Sequence, residues 1–394
     1  MLIGAHLQQR VDQADQQRAT PADMTRVGRR PVWIRTLWGD ITIWRAYYVR
    51  DGGGGGSTPA DSILGLWNRC TPQLARTVSV LASEVPFETA AAVLHMTTAA
   101  TVKGRQFHRL AADAGVAAQH WARHRKPLPD APEVLYVSYD GTGVPMRPEH
   151  LAGRRGKGPD GIARTREVRL GCVFTQTSLD EAGRPVRDSN STTYVSGLLN
   201  SEQFGRLIKA EAGRRGARKA RRVVVLSDGA NWCGKAAAMN FPRALHILDF
   251  YHAAEHVREL SRALFGEGRK ATVQFKAWRR ALLRGKADDV IRAARELTGQ
   301  ADDPDGASRQ IAYLQKNRPH MQYDRYRREG LFIGSGVIEA GCKTVVAQRT
   351  KRSGMFWGQK GLEHILALRC LKLGNELDAF WDYIFGPTKT GKAA

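Results

Sequence analysis

A chain of 394 residues is too long for one ordinary domain, so two or three domains are expected. Its apolar content of 42% is sufficient for hydrophobic cores and excludes a disordered protein. The formal net charge of +23 is typical of a protein that binds a polyanion. Nucleic acid is therefore favoured as a partner over the alternative of a protein that is merely basic.

The cysteines and the apolar segments indicate the cellular compartment. No Cys-x-x-Cys pair or zinc-finger spacing occurs among Cys70, Cys172, Cys233, Cys342 and Cys370. This pattern predicts reduced thiols in a cytoplasmic protein. The first apolar residues are too few for a signal peptide, and no window approaches the roughly 20 apolar residues of a membrane span.

Residues 1–56 are predicted to form a polar segment followed by a β-hairpin. A short helix is expected at residues 7–17, and alternating apolar residues flank a turn at Trp38-Gly39-Asp40. An unbroken glycine run, Gly52 to Gly56, predicts a flexible linker and the first domain boundary.

Residues 57–126 are predicted to be helical. Pro86 ends a first helix, a second follows at residues 88–94, and a third is expected at residues 100–114. This arrangement resembles a helix-turn-helix, in which Lys103, Arg105 and Arg109 would contact DNA. The alternative is an ordinary helical bundle with a solvated basic face.

Residues 127–386 contain three β-branched runs that each lead to an aspartate. Asp140 and Asp228 are each followed by glycine, which predicts a strand that ends in a tight turn, and Asp249 ends the third run. The order is three strands, a helix, a strand, a helix and a strand. It predicts an α/β, ribonuclease-H-like catalytic domain.

Three further segments of this region are predicted. A loop at residues 147–166 carries Arg154, Arg155 and Lys157, which would grip phosphates or simply be solvated. Residues 251–330 should form an all-helical insertion in the catalytic domain. The tail, residues 387–394, should be disordered.

The acids suggest phosphodiester chemistry. Glu339 lies near the start of a helix expected at residues 335–348, and with Asp140 and Asp228 it supplies oxygen ligands suited to Mg²⁺ or Mn²⁺. Two such ions about 4 Å apart would activate the attacking oxygen and stabilise the leaving oxygen. Singly, each acid has a simpler role as a turn, cap or ion-pair residue. Asp249 is either the N-cap of the next helix, with His252 at i+3, or a neighbour of the metal site.

Several motifs together resemble bacterial insertion-sequence DDE transposases of the ISKra-type family, allied to the Mutator-like superfamily. They are Tyr139-Asp140-Gly-Thr-Gly-Val-Pro, Ser227-Asp228-Gly-Ala, Ile247-Leu-Asp-Phe-Tyr-His252 and Gly334-Ser-Gly-Val-Ile-Glu-Ala-Gly-Cys-Lys-Thr344. The match extends through Gln348-Arg-Thr-Lys-Arg-Ser-Gly-Met355 to Trp357, and upstream to Ala82-Ser-Glu-Val-Pro-Phe-Glu-Thr-Ala90. Relatives often carry cysteine pairs after the N-terminal strands, where this chain has its glycine run.

The resemblance implies a catalytic triad of Asp140, Asp228 and Glu339 that holds two Mg²⁺ or Mn²⁺ ions, with Asp249 and His252 as a secondary motif. It implies cleavage of double-stranded DNA at element ends and joining of the 3′-hydroxyl to target DNA, by a homodimer or higher oligomer associated with the nucleoid. Cations around the glutamate helix are predicted to contact DNA, namely Lys343, Arg349, Lys351 and Arg352. The alternatives are a DNA-binding regulator or inactive relative, and a metal-dependent nuclease without strand transfer.

Overall fold

A computed structural model describes residues 2–17, 23–52, 55–128, 131–156 and 160–386. The chain forms two compact units, Met1–Trp121 with Glu376–Ala394 and Ala122–Asn375. The domain limits predicted at residues 56 and 126 stay predictions, and the tail predicted to be disordered lies outside the described residues.

The first unit begins with a helix and a β-ribbon. These elements are α1 (Leu2–Gln17), β1 (Met24–Thr36), β2 (Gly39–Arg50) and β3 (Gly56–Ser57). The hairpin prediction is confirmed, since β1 and β2 are antiparallel and Ile34 lies opposite Ile41. Ile34 also belongs to an apolar cluster with Val11 of α1. Gly56 was expected in a flexible linker but pairs with Val49 at the edge of β2.

Helices complete this unit: α2 (Ala60–Leu64), α3 (Pro72–Glu84), α4 (Phe87–Thr97), α5 (Gly104–His124) and α16 (Leu377–Phe385). Pro86 separates α3 from α4 as predicted. Helix α5 starts later than expected and ends ten residues beyond Ala114. The extension follows from its buried face, which continues at helical spacing through Ala118 to Trp121.

A mixed five-stranded sheet organises the second unit. Its strands are β4 (Val134–Pro145), β5 (Thr165–Gln176), β8 (Thr193–Gly197), β9 (Arg222–Ser227) and β10 (Leu245–Leu248), and a small separate ribbon contains β6 (Ser178–Leu179) and β7 (Pro185–Val186). The spatial order is β10-β9-β4-β5-β8. Strands β4, β9 and β10 are parallel, whereas β5 is antiparallel to both β4 and β8. This mixed α/β sheet is compatible with the predicted ribonuclease-H-like fold.

Alternate residues of β4 face opposite sides of the sheet. Leu135, Val137 and Tyr139 lie in an apolar cluster with residues of α6 (Ser201–Arg214) and α7 (Asn231–Asn240). Asp140 therefore faces the other side. The prediction that the strand turns at Asp140 is wrong, because β4 stays paired with β5 as far as Pro145. The parallel pairing with β9 is what ends, at Ser138.

From Phe250 to Gly330 the described chain contains helical elements and no strand, as predicted. The α-helices are α8 (Phe250–Phe265), α9 (Arg269–Leu283), α10 (Ala287–Leu297), α11 (Pro304–Asn317) and α12 (Tyr323–Arg328). None of the helices in the described ranges is long and apolar enough to span a membrane.

The glutamate helix is interrupted by a π-helical turn. It runs from α13 (Gly336–Gly341) through the turn at Cys342–Ala347 into α14 (Gln348–Thr350), and α15 (Gln359–Leu373) follows. Within the turn, the Gln348 N–H donates to the carbonyl of Lys343, five residues earlier. Such turns are frequent at functional sites.

Candidate active site

Asp140 occupies a half-buried position in the middle of β4. Its Oδ1 accepts the Gly141 N–H at 2.6 Å, and its Oδ2 lies 3.6 Å from the Cys342 thiol. Burial raises the pKa of Asp140, and the negative charge of Asp228 acts in the same direction. The Gly141 N–H and the Cys342 thiol oppose this rise in pKa.

The side chains of β5 lie against the backbone of β4 just beyond Asp140. A Cβ on Gly141 would lie 2.5 Å from Glu167 Oε1, the far end of an exposed, flexible side chain on β5. Glu167 is thus a further carboxylate beside the site, and its Oε2 lies 3.5 Å from Arg169 Nη2. A larger residue at position 141 would therefore displace the Glu167 side chain.

Asp228 directly follows β9 and is held in a tight turn. Its Oδ1 accepts the Ala230 N–H at 2.9 Å, and its backbone carbonyl accepts the hydroxyl of Tyr313 on α11 at 2.8 Å. Gly229 has a φ of +79°, and a Cβ there would lie 2.6 Å from the Tyr313 hydroxyl. A glycine is therefore required for the helical segment to pack on this turn.

Asp249 is the N-cap of α8, which confirms the first of its two predicted roles. The side chain is fully buried, and its Oδ1 accepts the His252 N–H at 2.7 Å. Its Oδ2 accepts the N–H of Ser335, the N-cap of α13. Asp249 therefore ties α8 to the helix that carries Glu339.

His252 is part of the same region. Its Nδ1 lies 3.4 Å from Glu255 Oε2, and its charge, when protonated, lowers the pKa of Asp140, though less than the other groups named above. His252 thus lies within electrostatic range of the acid on β4.

Glu339 lies on the face of the glutamate helix that is directed to this end of the sheet. The Ser335 hydroxyl donates to Glu339 Oε1 at 3.1 Å. Ser335, Glu339 and Cys342 are spaced at i, i+4 and i+7, so their side chains share one side. The helix is fixed to Asp249 through the Ser335 backbone N–H, and the shared side reaches Asp140 at Cys342. Along the helix, Glu339 thus lies between the residue that contacts Asp249 and the residue that contacts Asp140.

The donor set is chemically suited to a hard divalent cation, because all three predicted ligands present carboxylate oxygens. Among the described residues, no group of three acidic, histidine or cysteine side chains is arranged closely enough to hold a metal ion. Asp140 and Asp228 are within electrostatic range of each other. The side-chain contact of Glu339 is with the Ser335 hydroxyl.

Eight of the ten cations predicted to contact DNA are exposed. They are Lys103, Arg105, Arg109, Arg154, Arg155, Lys343, Lys351 and Arg352. Lys351 Nζ donates to Thr142 Oγ1 at 2.6 Å, immediately beyond Asp140 on β4. Lys157 lies outside the described residues.

Arg349 corrects the prediction, because its side chain is only 1% exposed. Its guanidinium lies over the Trp357 ring at 5.0 Å and contacts Met355 Sδ at 3.3 Å. It holds the end of the glutamate helix against the following loop and is not positioned to contact DNA.

Sequence reasoning missed four residues of the site. Cys342 and Ser335 share a helix face with Glu339, so their spacing from it was a usable signal. Glu167 and Tyr313 lie on β5 and α11, and no local pattern connects them with the acids.

Comparisons with known proteins add little. No model of a known family matches the chain, and no curated protein matches it. One similar solved structure is a Drosophila P element transposase strand transfer complex, at 11% identity, 79% coverage of this chain, 80% coverage of that chain and a TM-score of 0.30. A likeness this weak carries no argument about fold or chemistry, which must come from the residues themselves.

Proposed function

We propose that this chain is a DNA transposase of an insertion sequence, which cleaves DNA at element ends and joins the freed 3′-hydroxyl to target DNA. The observation that supports the proposal is the set of contacts made by the glutamate helix: the Ser335 N–H binds Asp249, the Ser335 hydroxyl binds Glu339, and the Cys342 thiol lies against Asp140. The helix that carries Glu339 is thereby fixed to the acid on β4 and to the acid that follows β10. The motifs around these acids are those that resemble DDE transposases.

Asp140, Asp228 and Glu339 would hold two Mg²⁺ or Mn²⁺ ions. When bound, such ions supply an activated oxygen nucleophile and neutralise the charge of the phosphodiester. The chain's own contribution is orientation: Tyr313 fixes the backbone of Asp228, Asp249 fixes the start of α13, and Cys342 lies against Asp140.

Double-stranded DNA is the inferred partner, both as element ends and as target. The net charge of +23 favours a polyanion, and Lys343, Lys351 and Arg352 are exposed on or just beyond the glutamate helix. Arg105 and Arg109 on α5 are exposed as a helix-turn-helix would require. Since an element has two ends, we expect a homodimer or higher oligomer on DNA.

A joining assay tests the proposal. Purified full-length protein is incubated with Mg²⁺ or Mn²⁺, a labelled duplex that carries the DNA flanking the coding sequence, and a plasmid target. Labelled plasmid is expected to form only with the metal present. Cleavage without joining would instead indicate a nuclease, and binding without either reaction would indicate a regulator.

A further inference from the structure

A groove of about 540 Å³ lies between α8 and α9, a size typical of sites for small ligands. It is lined by Ala254, by one acid, Glu255, and by aromatic and cationic side chains, namely Tyr251, Arg258, Phe275, Lys276, Arg279 and Arg280. No role was assigned to any of these residues from the sequence. The combination of flat rings and positive charge is the chemistry that recognises nucleotides.

The charge of the groove comes mainly from α9. This helix carries five cations and no acid in Arg269–Leu283. Within the described ranges none of these five cations forms an ion pair, and Lys270 and Arg279 instead lie over the rings of Phe265 and Phe250 at 4.8 and 5.2 Å. Phosphates can therefore bind the helix without breaking an existing salt bridge.

The aromatic side chains of the groove differ in exposure. Tyr251 is 58% exposed, so a large part of its ring is open to solvent. Phe275 is half-buried, with the Arg258 guanidinium 4.7 Å from its centroid. The Tyr251 ring packs against Phe250 with its centroid 5.7 Å away, and its exposed part is where a base can stack. The cations lie farther along the two helices.

The groove begins beside Asp249 and the start of the glutamate helix. Tyr251 is two residues after Asp249, and its ring lies against Gly334, where a Cβ would be 2.7 Å from Tyr251 Cε2. Gly334 immediately precedes Ser335, the residue that begins the glutamate helix and binds Asp249. A strand that leaves the acids can therefore enter the groove at Tyr251.

We infer that this groove binds an unpaired DNA strand next to the acids, with a base stacked on Tyr251 and phosphates bound by Lys276 and Arg280. The choice of DNA rests on the proposed function, but the binding itself needs no catalysis. Duplex DNA fits less well, because its bases are stacked on each other and leave no free face for Tyr251.

The test compares two labelled DNAs, a blunt duplex and the same duplex with a four-nucleotide 3′ extension. Binding to full-length protein is measured by fluorescence anisotropy without divalent metal, so that no cleavage occurs. Tyr251→Ala should weaken binding of the extended duplex by roughly 5- to 150-fold, the range for one stacked base, and leave the blunt duplex unchanged. Tyr251→Phe keeps the ring and should bind like the wild type.

Matched controls separate stacking from general effects. Tyr383→Ala removes a tyrosine of similar exposure, 59%, on α16 and should change neither affinity. The double variant Lys276→Ala, Arg280→Ala should weaken the extended duplex more than the double variant Arg218→Ala, Lys219→Ala, which removes equal charge from another exposed segment.

Equal losses on both DNAs for Tyr251→Ala, or no loss on either, would overturn the inference. If joining activity is found but Tyr251→Ala binds the extended duplex normally, the groove alone is refuted. If no cleavage or joining occurs while Tyr251 still discriminates the two DNAs, the groove stands and the transposase proposal is refuted.

Discussion

The two faces of β4 are built from alternate residues of one strand, and the surroundings of their side chains differ. On one face Leu135, Val137 and Tyr139 lie in an apolar cluster with Phe204 of α6. On the other face Ser138 donates to a backbone carbonyl at 2.7 Å, and Asp140 lies against the thiol of Cys342. Tyr136, which is fully buried against Phe174, is on this second face as well. The period-two alternation of a strand thereby places the adjacent residues Tyr139 and Asp140 on opposite faces.

This difference implies that substitutions on the two faces should change different properties of the protein. A change on the α6 face should lower stability, whereas a change at Asp140 should remove activity with little or no loss of stability.

Replacing either strand acid, Asp140→Asn or Asp228→Asn, should lower joining by about 10³-fold or more, because a lost metal ligand removes several kcal/mol of transition-state stabilisation. DNA affinity should stay within about twofold, measured by anisotropy at fixed salt. Asp289→Asn, an exposed acid on α10, is the matched control and should keep full activity. Full joining by Asp228→Asn would exclude a shared metal site.

Truncation on the apolar face should affect stability instead. Phe204 is fully buried, and Phe204→Ala should lower the free energy of unfolding by about 3–5 kcal/mol, measured by urea denaturation. Phe356 is 59% exposed, so Phe356→Ala should cost no more than about 0.5 kcal/mol. Similar losses for both variants would mean that the face against α6 and α7 is not the stabilising core.

Divalent metal should stabilise the folded wild type. A ligand bound only by the folded state adds about 2.7 kcal/mol at one hundred times its Kd. We expect the melting temperature to rise with saturating Mg²⁺ or Mn²⁺, and to fall again on chelation. The rise should be smaller in Asp140→Asn and Asp228→Asn. An unchanged melting curve at saturation would contradict the metal site.

The raised pKa of Asp140 predicts that ionisation of this carboxyl group lowers the stability of the folded state, and that the loss depends on pH. Because the folded state binds this proton more tightly than the unfolded state, stability falls as pH increases from the ordinary value of 3.8 through the raised folded pKa. At neutral pH the full cost is present, so Asp140→Asn without metal should melt slightly above the wild type. Below pH 4 this difference should vanish. A constant difference from pH 3 to pH 8 would mean that ionised Asp140 carries no such cost.

The smallest effect is expected at the hydroxyl that supports Asp228. Tyr313→Phe removes one hydrogen bond to the Asp228 carbonyl, which is worth about 0.5–1.5 kcal/mol. Joining should slow by about 2- to 10-fold, measured at saturating DNA. Tyr383→Phe, on an exposed tyrosine, serves as the control. A loss as large as that of Asp228→Asn would indicate a direct role for Tyr313 in the reaction.

Much of this structure could be predicted from local sequence patterns. Runs of β-branched residues identified the strands that end near Asp228 and Asp249, and the helical segment from Phe250 was expected because strand-like sequence stops there. The N-cap role of Asp249 was also predictable, since the next helix begins one residue later.

The predictions that were wrong, and the site residues that were missed, concern side chains whose neighbours are far away in sequence. Gly141 looked like a turn because its pairing with Arg169 of β5 is invisible in the local sequence. Arg349 looked like a DNA contact because it belongs to a basic run, but Trp357 buries it. Tyr313 is 85 residues from Asp228 in sequence, and only the folded chain brings them together.

The π-helical turn at Cys342–Ala347 changes how the end of the glutamate helix would respond to insertions and deletions. A π turn arises when one more residue is accommodated than an α-helix would need, and each α-helical residue adds about 100° of rotation. Deleting one residue within the turn would therefore restore a regular helix and leave the later side chains near their present places. Deleting one residue from the regular turn before it would instead rotate every later side chain, so that Arg349 would leave Trp357 and Lys351 would leave Thr142. The π turn is thus a segment in which this helix can lose a residue without moving the cations that follow it.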